Sequence, residues 1–221
     1  MDYDEISGPS GGRARGARPG AARGTTPASR SPATDPRSSG SAGTAAPRAA
    51  SPLTTLSPAG ATWLVSRAID PSVIEACEIV SAEVASGGEW IAFPYRSRGQ
   101  VVNHKYRSIT DKRFMQDRGG KQVWWNADCI IDEALAGQPL IITEGEVDAM
   151  SAMTAGYQRV VSVPGGAPMA PTEGDGKYGF LADSLNDLRG AEIILAVDND
   201  GPGIALLQDL TTRLGRGRCR Y

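Results

Sequence analysis

The stretch LIITEGEVDAMSA, residues 140–152, decides the fold class and raises the first question about function. Its first four residues are apolar or neutral and predict a buried strand. Three acids then follow within five positions, Glu144, Glu146 and Asp148, in a segment that reads as a helix ending at Gly156. Carboxylates this close together repel each other. The stretch therefore indicates either a solvated helix start or a place where a positive charge binds.

The chain after this stretch repeats the same alternation of apolar strand and helix. Further strands are predicted at RVVSV, EIILAV and RCRY, with helices over residues 178–189 and in PGIALLQDLTTRLG. Continuous apolar strands that alternate with helices predict a parallel sheet with helices on both faces. Residues 138–221 are therefore expected to form one α/β domain.

Acidic residues stand at the ends of two of these strands. The first strand runs into Glu144, and the third runs into Asp198 and Asp200. Because ligands of parallel α/β sheets bind beyond the carboxyl ends of the strands, adjacent first and third strands would bring the three acids together. Carboxylates without His or Cys form a hard oxygen site that suits Mg²⁺ or Mn²⁺ bound with phosphates. For the acids of the following helix, a favourable interaction with the helix N-terminus is the alternative explanation.

Residues 62–137 show a different pattern, typical of a small α+β segment. TWLVSRAIDPSVIEACEIV predicts helical pieces interrupted at Asp70-Pro71. EWIAFPYRS and QVVNHKYRSIT predict a hairpin with its turn at Arg98-Gly99-Gln100, and KRFMQD and QVWWNADCI predict further short strands. Trp124 and Trp125 are candidates for stacking on a nucleic-acid base, although one of them is expected in the core.

Residues 1–61 are dominated by Gly, Ala, Ser, Thr, Pro and Arg and are expected to form a disordered arm. Residues 1–60 contain seven Arg and four acidic residues, a net charge of +3. The arm could contact nucleic-acid phosphates nonspecifically, or it is an inert linker. The three cysteines lie far apart, which argues against a zinc site or a disulfide framework. No signal peptide or long apolar run occurs, so no membrane association is expected.

Three segments resemble the signature of the Toprim domain, namely TEGEVDAMSA, VSVPGGAP and AVDNDGPG. This domain occurs in bacterial-type DNA primases, type IA and II topoisomerases, RecR-type repair proteins and some nucleases. Upstream, FPYRSRGQVVNHKYRSITDKRFMQD and WWNAD are similar to the small subdomain before Toprim in the helicase–primases of tailed bacteriophages. The resemblance implies a Rossmann-like Toprim sheet over residues 138–221, preceded by a small α+β primase subdomain over residues 62–137.

The resemblance also implies roles for individual residues. Glu144 matches the Toprim glutamate, which performs general acid/base work or binds metal, and Asp198 and Asp200 match the acidic metal ligands. Asp148 matches a further acid of the primase version, a second-metal or supporting residue. Four basic residues match positions near the incoming triphosphate and the template, and the alternative for each is a solvated, charged β edge. They are Lys105, Arg107, Lys112 and Arg113.

The sequence departs from the family pattern in three respects. The residues 1–61 stand where such primases carry a Cys-rich zinc module. No GxxxxGK[ST] loop of an ATP-driven helicase occurs. The sequence stops at RCRY, so the Toprim fold is expected to be truncated, before an edge strand and a further acid of the family.

The function implied by the resemblance is DNA-directed synthesis of RNA primers during replication. The expected substrates are ribonucleoside triphosphates on a single-stranded DNA template, with Mg²⁺ or Mn²⁺ as cofactor. A replicative helicase acting in trans is an expected partner, and the cytoplasm of a bacterial or phage-infected cell is the expected location. The alternatives are a Toprim-type metal-dependent nuclease and a non-catalytic module that binds DNA or a replication partner.

Overall fold

The structure is a computed structural model that describes residues 53–84 and 87–221. The predicted arm, residues 1–61, lies outside the described residues except for its last stretch, 53–61. Within the two described ranges, no helix has both the length and the apolar character needed to cross a membrane.

Two short helices open the described part of the chain, α1 (Pro58–Val65) and α2 (Pro71–Ala76). Oγ of Ser57 caps α1 by accepting a hydrogen bond from a backbone N–H of its first turn. Oδ1 of Asp70 does the same for α2 over 2.8 Å. A capping side chain followed by proline is a strong signal for a helix start. The predicted interruption at Asp70-Pro71 is thus confirmed.

The first sheet is antiparallel, with the strand order β1-β2-β3-β4. Its strands are β1 (Val80–Ala82), β2 (Trp90–Ser97), β3 (Gln100–Ser108) and β4 (Phe114–Gln116). The predicted hairpin is confirmed, because β2 and β3 pair around the two-residue turn Arg98-Gly99. Both turn residues have positive φ, 53° and 78°, which matches the twist of the flanking strands. The glycine therefore makes a tight turn possible here.

The prediction of a strand over QVWWNADCI is wrong. Only Trp125 makes a β-bridge, with Ser162, and the chain then turns into two 3-10 helices, Ala127–Ile130 and Glu133–Leu135. Trp124 and Trp125 are 1% and 2% exposed and point into different core clusters. Burial of both rings overturns the idea that either stacks on a base. Each instead anchors the connection between the two sheets.

The second sheet is parallel, with the strand order β6-β5-β7-β8. Its strands are β5 (Leu140–Thr143), β6 (Val160–Ser162), β7 (Ile193–Ala196) and β8 (Cys219–Arg220). Helix α3 (Glu146–Thr154) follows β5, and α4 (Gly201–Leu214) follows β7. The predicted α/β fold is confirmed, and β5 and β7 are neighbours, as the proposed convergence of the acids requires.

The predicted helix over residues 178–189 is wrong. The structure has one 3-10 turn, Gly179–Leu181, followed by further turns. Tertiary contacts explain the difference, because the Tyr178 hydroxyl donates to Asp209 and Ser184 accepts a hydrogen bond from the indole of Trp124. Asp and Asn residues in the segment also compete for backbone hydrogen bonds and weaken helices.

Both faces of the parallel sheet are buried, and each is covered by different elements. Leu140 and Ile142 face the side covered by Leu206 and Leu210 of α4. Ile141 faces the opposite side, together with α3 and the β2–β3 hairpin. Alternation of side chains along a strand accounts for the division. The hairpin consequently packs beside α3, near the carboxyl end of β5.

Candidate active site

Two strand-end acids meet at the carboxyl edge of the parallel sheet. β5 and β7 pair up to Thr143 and Ala196, so Glu144 and Asp198 lie just beyond paired positions. Oε1 of Glu144 accepts a hydrogen bond from the backbone N–H of Asp198 at 2.8 Å. The structure thus brings together the acids for which the sequence predicted convergence.

Asp200 lies at the same edge but has a local role as well. Its Oδ1 accepts a hydrogen bond from the backbone N–H of Gly203 at 2.8 Å, which caps α4. A Cβ atom at Gly203 would overlap the carbonyl oxygen of Asp198 and Oε1 of Glu144. Glycine is therefore required where the start of α4 approaches the acids this closely.

Asp148 completes the group of four predicted acids from the first turn of α3. Burial raises its pKa, and the negative charges of Asp198 and Glu146 raise it further. The pKa of Glu144 is also raised, first by burial and then by the charges of Asp198, Asp200 and Asp148, although the Asp198 N–H opposes the shift. These pKa shifts mean that Glu144 interacts with the other three carboxylates and that Asp148 interacts with Asp198.

The donor set fits a hard divalent cation by its chemistry. All four side chains offer carboxylate oxygens, the ligands that Mg²⁺ and Mn²⁺ prefer, and a cation would relieve the repulsion that raises the pKa of Glu144. Across residues 53–84 and 87–221, however, no three His, Cys, Asp or Glu side chains are already gathered as a closed set of metal ligands.

A cavity of about 700 Å³ lies between two of these acids, Glu144 and Asp148, and the first sheet. Glu144 and Asp148 line one side, and Lys105 and Arg107 of β3 line the other. The backbone of Gly165-Gly166, in the loop after β6, also borders the cavity. The cavity therefore places acidic and basic groups on facing walls, a combination that suits a ligand carrying phosphates.

The other two predicted basic residues lie outside this cavity. Lys112 is exposed. Nε of Arg113 pairs with Asp111 at 2.8 Å, and the guanidinium lies 5.2 Å from the ring centre of Trp90. The structure thus places two of the four predicted basic residues in the cavity, near the acids, and the other two in the turn between β3 and β4.

Arg107 has the geometry of an anion-binding residue. Its guanidinium lies 4.7 Å from the ring centre of Trp63 and 5.2 Å from that of Phe114. Its Nε atom is buried and has no hydrogen-bond partner among the described residues. Burial and the nearby charge of Arg67 both lower the pKa of Arg107. A phosphate group would supply the missing acceptor and the opposing charge.

Sequence reasoning did not find several residues of the cavity. Arg67 stacks over Trp63 at 3.6 Å and lines the wall, and Phe114 lines it with a 48% exposed side chain. Glu146, which could have been a solvated surface residue, is only 4% exposed and pairs with Lys105. The sequence carried no clear signal for this pair, because the neighbours of Lys105 on the same face of β3 are the polar residues Asn103 and Arg107.

The loop bordering the cavity is held by a buried group on α4. Asp209 accepts hydrogen bonds from the Thr172 N–H at 3.0 and 3.1 Å and from the Tyr178 hydroxyl at 2.8 Å. Arg213 pairs with Asp209 and donates to the carbonyl of Thr172. These contacts tie the segment after Gly165-Gly166 to α4 and so stabilise that wall.

Comparison with protein families and curated proteins identifies the C-terminal part of the chain. Residues 138–220 match the Toprim domain. The chloroplastic/mitochondrial Twinkle homolog protein of Arabidopsis thaliana is 36% identical over 166 residues, which cover 71% of this chain and 22% of that protein. The Arabidopsis primase homolog protein is 39% identical over 137 residues, 58% of this chain and 39% of that protein. The chain thus spans well under half of each relative.

Solved structures share the fold of both parts of the chain. The primase fragment of the bacteriophage T7 primase-helicase superposes with a TM-score of 0.56 at 22% identity, over 71% of this chain and 61% of that one. The DnaG catalytic core gives a TM-score of 0.56 at 18% identity, over 76% of this chain and 65% of that one. Residues 138–220 are therefore a Toprim domain, and the described part of the chain shares its fold with these primase structures.

Proposed function

We propose that this protein is a DNA primase that joins ribonucleotides on a single-stranded DNA template. In this reaction, the 3′-hydroxyl of one nucleotide attacks the α-phosphate of the next ribonucleoside triphosphate. A phosphodiester bond forms, pyrophosphate leaves, and the hydroxyl proton passes to a base. The observation that carries the proposal is the cavity of about 700 Å³ with acids on one wall and Lys105 and Arg107 on the other.

The basic wall binds the triphosphate in this proposal. Arg107 offers a buried Nε without a partner among the described residues, and Arg67 adds a second guanidinium on the same side. A planar guanidinium can bind phosphate oxygens through two parallel hydrogen bonds. The guanidinium groups of Arg107 and Arg67 would therefore orient the triphosphate with its α-phosphate toward the acidic edge.

The acidic wall prepares the attacking group. Glu144 lies at the end of β5 with Oε1 held by the Asp198 N–H, and in this proposal its carboxylate accepts the proton of the 3′-hydroxyl. Glu144, Asp148, Asp198 and Asp200 would hold Mg²⁺ or Mn²⁺. When bound, the ion supplies positive charge that stabilises the phosphate oxygens during transfer.

The partners follow from the same proposal. A single-stranded DNA template and ribonucleoside triphosphates are the substrates, and a replicative helicase acting in trans is the proposed protein partner. Among the structures of similar fold, one is a DnaG primase catalytic domain bound to single-stranded DNA, which supports the template class. The expected cytoplasmic location stays a prediction.

The test is incorporation of labelled ribonucleotides on single-stranded DNA with Mg²⁺ or Mn²⁺. Wild type is compared with Glu144→Gln and Asp198→Asn, and an end-labelled DNA strand in parallel reactions detects cleavage. We expect wild type to make short oligoribonucleotides and both variants to make none. Cleavage without synthesis would instead assign a nuclease. Absence of both reactions, with retained DNA binding, would assign a non-catalytic module.

A further inference from the structure

Glu146 links the two sheets through a buried ion pair. Its two carboxylate oxygens contact Nζ of Lys105 at 2.8 and 2.9 Å, and Oε1 also accepts a hydrogen bond from the hydroxyl of Tyr95. Lys105 lies on β3 and Tyr95 on β2, whereas Glu146 is the first residue of α3. All three residues are buried. The contact therefore fixes α3 against the hairpin.

These contacts set Glu146 apart from the neighbouring acids. Lys105 engages both of its oxygens and already supplies the positive charge that a cation would bring. Glu144 instead uses Oε1 for the Asp198 N–H at the opposite side of the acidic edge. Glu146 thus serves the basic strand, although the sequence places it between two predicted metal ligands.

Stability alone does not explain a buried pair of this kind. Removing a lysine and a glutamate from water costs about as much as their attraction returns, and apolar side chains of similar size often serve equally well. What the pair provides is directional contact, because its hydrogen bonds form in only one arrangement of β3 and α3. Arg107 lies two residues after Lys105, and Glu144 lies two residues before Glu146.

We propose that Lys105 and Glu146 are positioning residues that set the separation of the two cavity walls. In this arrangement, the pair holds Arg107 at a fixed distance from Glu144 and Asp148. A triphosphate bound by Arg107 therefore lies next to these two acids. Lys105 lines the cavity, but its Nζ is engaged by both oxygens of Glu146. In this proposal Arg107 and Arg67 bind the triphosphate, and Lys105 acts through Glu146. This inference rests on the proposed function, since it assigns how the same site is held together.

A double-mutant cycle tests the pair. The variants are Lys105→Met, Glu146→Gln and their combination, in the full chain. For each, Mn²⁺ affinity, affinity for ATP with Mn²⁺, and kcat and KM of primer synthesis are measured. Asp183→Asn is the matched control, because it breaks an exposed lysine pair with Lys121 at 2.7 Å. Tyr95→Phe retains the ion pair and provides a variant with little risk of misfolding.

The expected result is non-additivity. Each single variant lowers kcat at least tenfold, because it leaves one buried partner unpaired and the walls shift, whereas Mn²⁺ affinity stays within twofold of wild type. The double variant is no worse than the worse single one, because a neutral methionine and glutamine pack without an unpaired charge. Tyr95→Phe changes kcat less than threefold, and Asp183→Asn leaves it unchanged.

Three results would overturn the inference. A tenfold loss of Mn²⁺ affinity in Glu146→Gln would make this residue a metal ligand. Losses that multiply in the double variant would mean that Lys105 contacts the substrate independently. Equal ATP affinity in all variants, with unchanged kcat, would remove the positioning role. If wild type binds ATP with Mn²⁺ but makes no RNA, the proposed reaction is wrong. The positioning role is then tested by the ATP affinities of the same variants alone.

Discussion

The backbone N–H of Asp198 donates a hydrogen bond to Oε1 of Glu144 over 2.8 Å and so joins the ends of two neighbouring parallel strands. The bond requires that β5 and β7 end at the same level and that the start of α4 leaves room for the glutamate. It holds one carboxylate oxygen of Glu144 in place. The positions of the acids therefore depend on the backbone at the strand ends as well as on the side chains.

Gly203→Ala tests this dependence. The added methyl group would overlap the Asp198 carbonyl and Oε1 of Glu144, so the first turn of α4 must shift. We expect a loss of about 1–3 kcal/mol in the free energy of unfolding, typical of overpacking, and at least a tenfold loss of primer synthesis. Gly201→Ala is the control, because its methyl group meets no atom within 4 Å. Equal behaviour of the two variants would contradict the close approach.

Metal binding should be visible in the stability of the protein. The raised pKa of Glu144 means that its ionisation disfavours the folded state, so stability from this group falls as pH rises through the folded-state pKa. A cation that binds the acids reverses this penalty. At a hundredfold excess over its dissociation constant, Mn²⁺ should add about 2.7 kcal/mol to wild type.

Thermal unfolding with and without Mn²⁺ at pH 7 measures this effect. Glu144→Gln removes one charge of the repelling group, so it should be at least as stable as wild type without metal and gain less from Mn²⁺. The same Mn²⁺ shift in both proteins would show that Glu144 takes no part in cation binding.

A second group, on the opposite face of the first sheet, should govern stability at acid pH. Burial alone would raise the pKa of Asp117, but hydrogen bonds from the hydroxyl of Tyr106 and from His104 outweigh it and lower the pKa below its usual value of 3.8. A lowered folded-state pKa stabilises the protein above the unfolded-state pKa, and this contribution is lost as pH falls through the folded-state value.

Asp117→Asn should therefore be less stable than wild type at pH 7, and the difference should shrink as pH falls below about 3.8. Urea unfolding across this pH range provides the measurement. A difference that stays constant with pH would mean that the carboxylate charge contributes nothing and that only the shape of the side chain matters.

The contacts that tie the segment after Gly165-Gly166 to α4 can be tested by a matched pair of substitutions. Asp209→Asn leaves the nearly buried Arg213 without its main charged partner, and the loss of one member of a buried pair costs about 3–5 kcal/mol. Asp175→Asn removes another contact of the same arginine, but Asp175 is 89% exposed, so it should change stability by less than about 0.5 kcal/mol. Urea unfolding distinguishes the two.

The parts of the fold that the sequence predicted correctly depend on local patterns. Apolar runs followed by helices predicted β5, α3, β7 and α4. The acids at the strand ends predicted that the site lies at the carboxyl edge of the parallel sheet. The parts that were missed depend on contacts between distant segments. Trp124 and Glu146 are each positioned by a partner more than forty residues away, Ser184 and Lys105 respectively. The segment after Tyr178 is positioned by Asp209 on α4.

The basic residues show the same limit. Lys105, Arg107, Lys112 and Arg113 form one charged stretch in the sequence, and nothing in their spacing separates them. Only the packing of β3 against α3 decides which of them reach the cavity. Strand alternation places Lys105 and Arg107 on one face, whereas Lys112 and Arg113 follow the end of β3.

This separation leads to a prediction about nucleotide binding. Arg107 lines the cavity and has a buried Nε without a partner in the described part of the chain, so Arg107→Met should weaken the binding of ATP with Mn²⁺ at least tenfold. Lys112 is exposed and lies outside the cavity lining, so Lys112→Met should weaken it less than threefold. Isothermal titration at constant salt provides both values, since exposed charges act through the screened field around the protein. If Lys112→Met proves as harmful as Arg107→Met, the triphosphate must extend beyond the cavity onto the β edge, and the charged stretch acts as one surface.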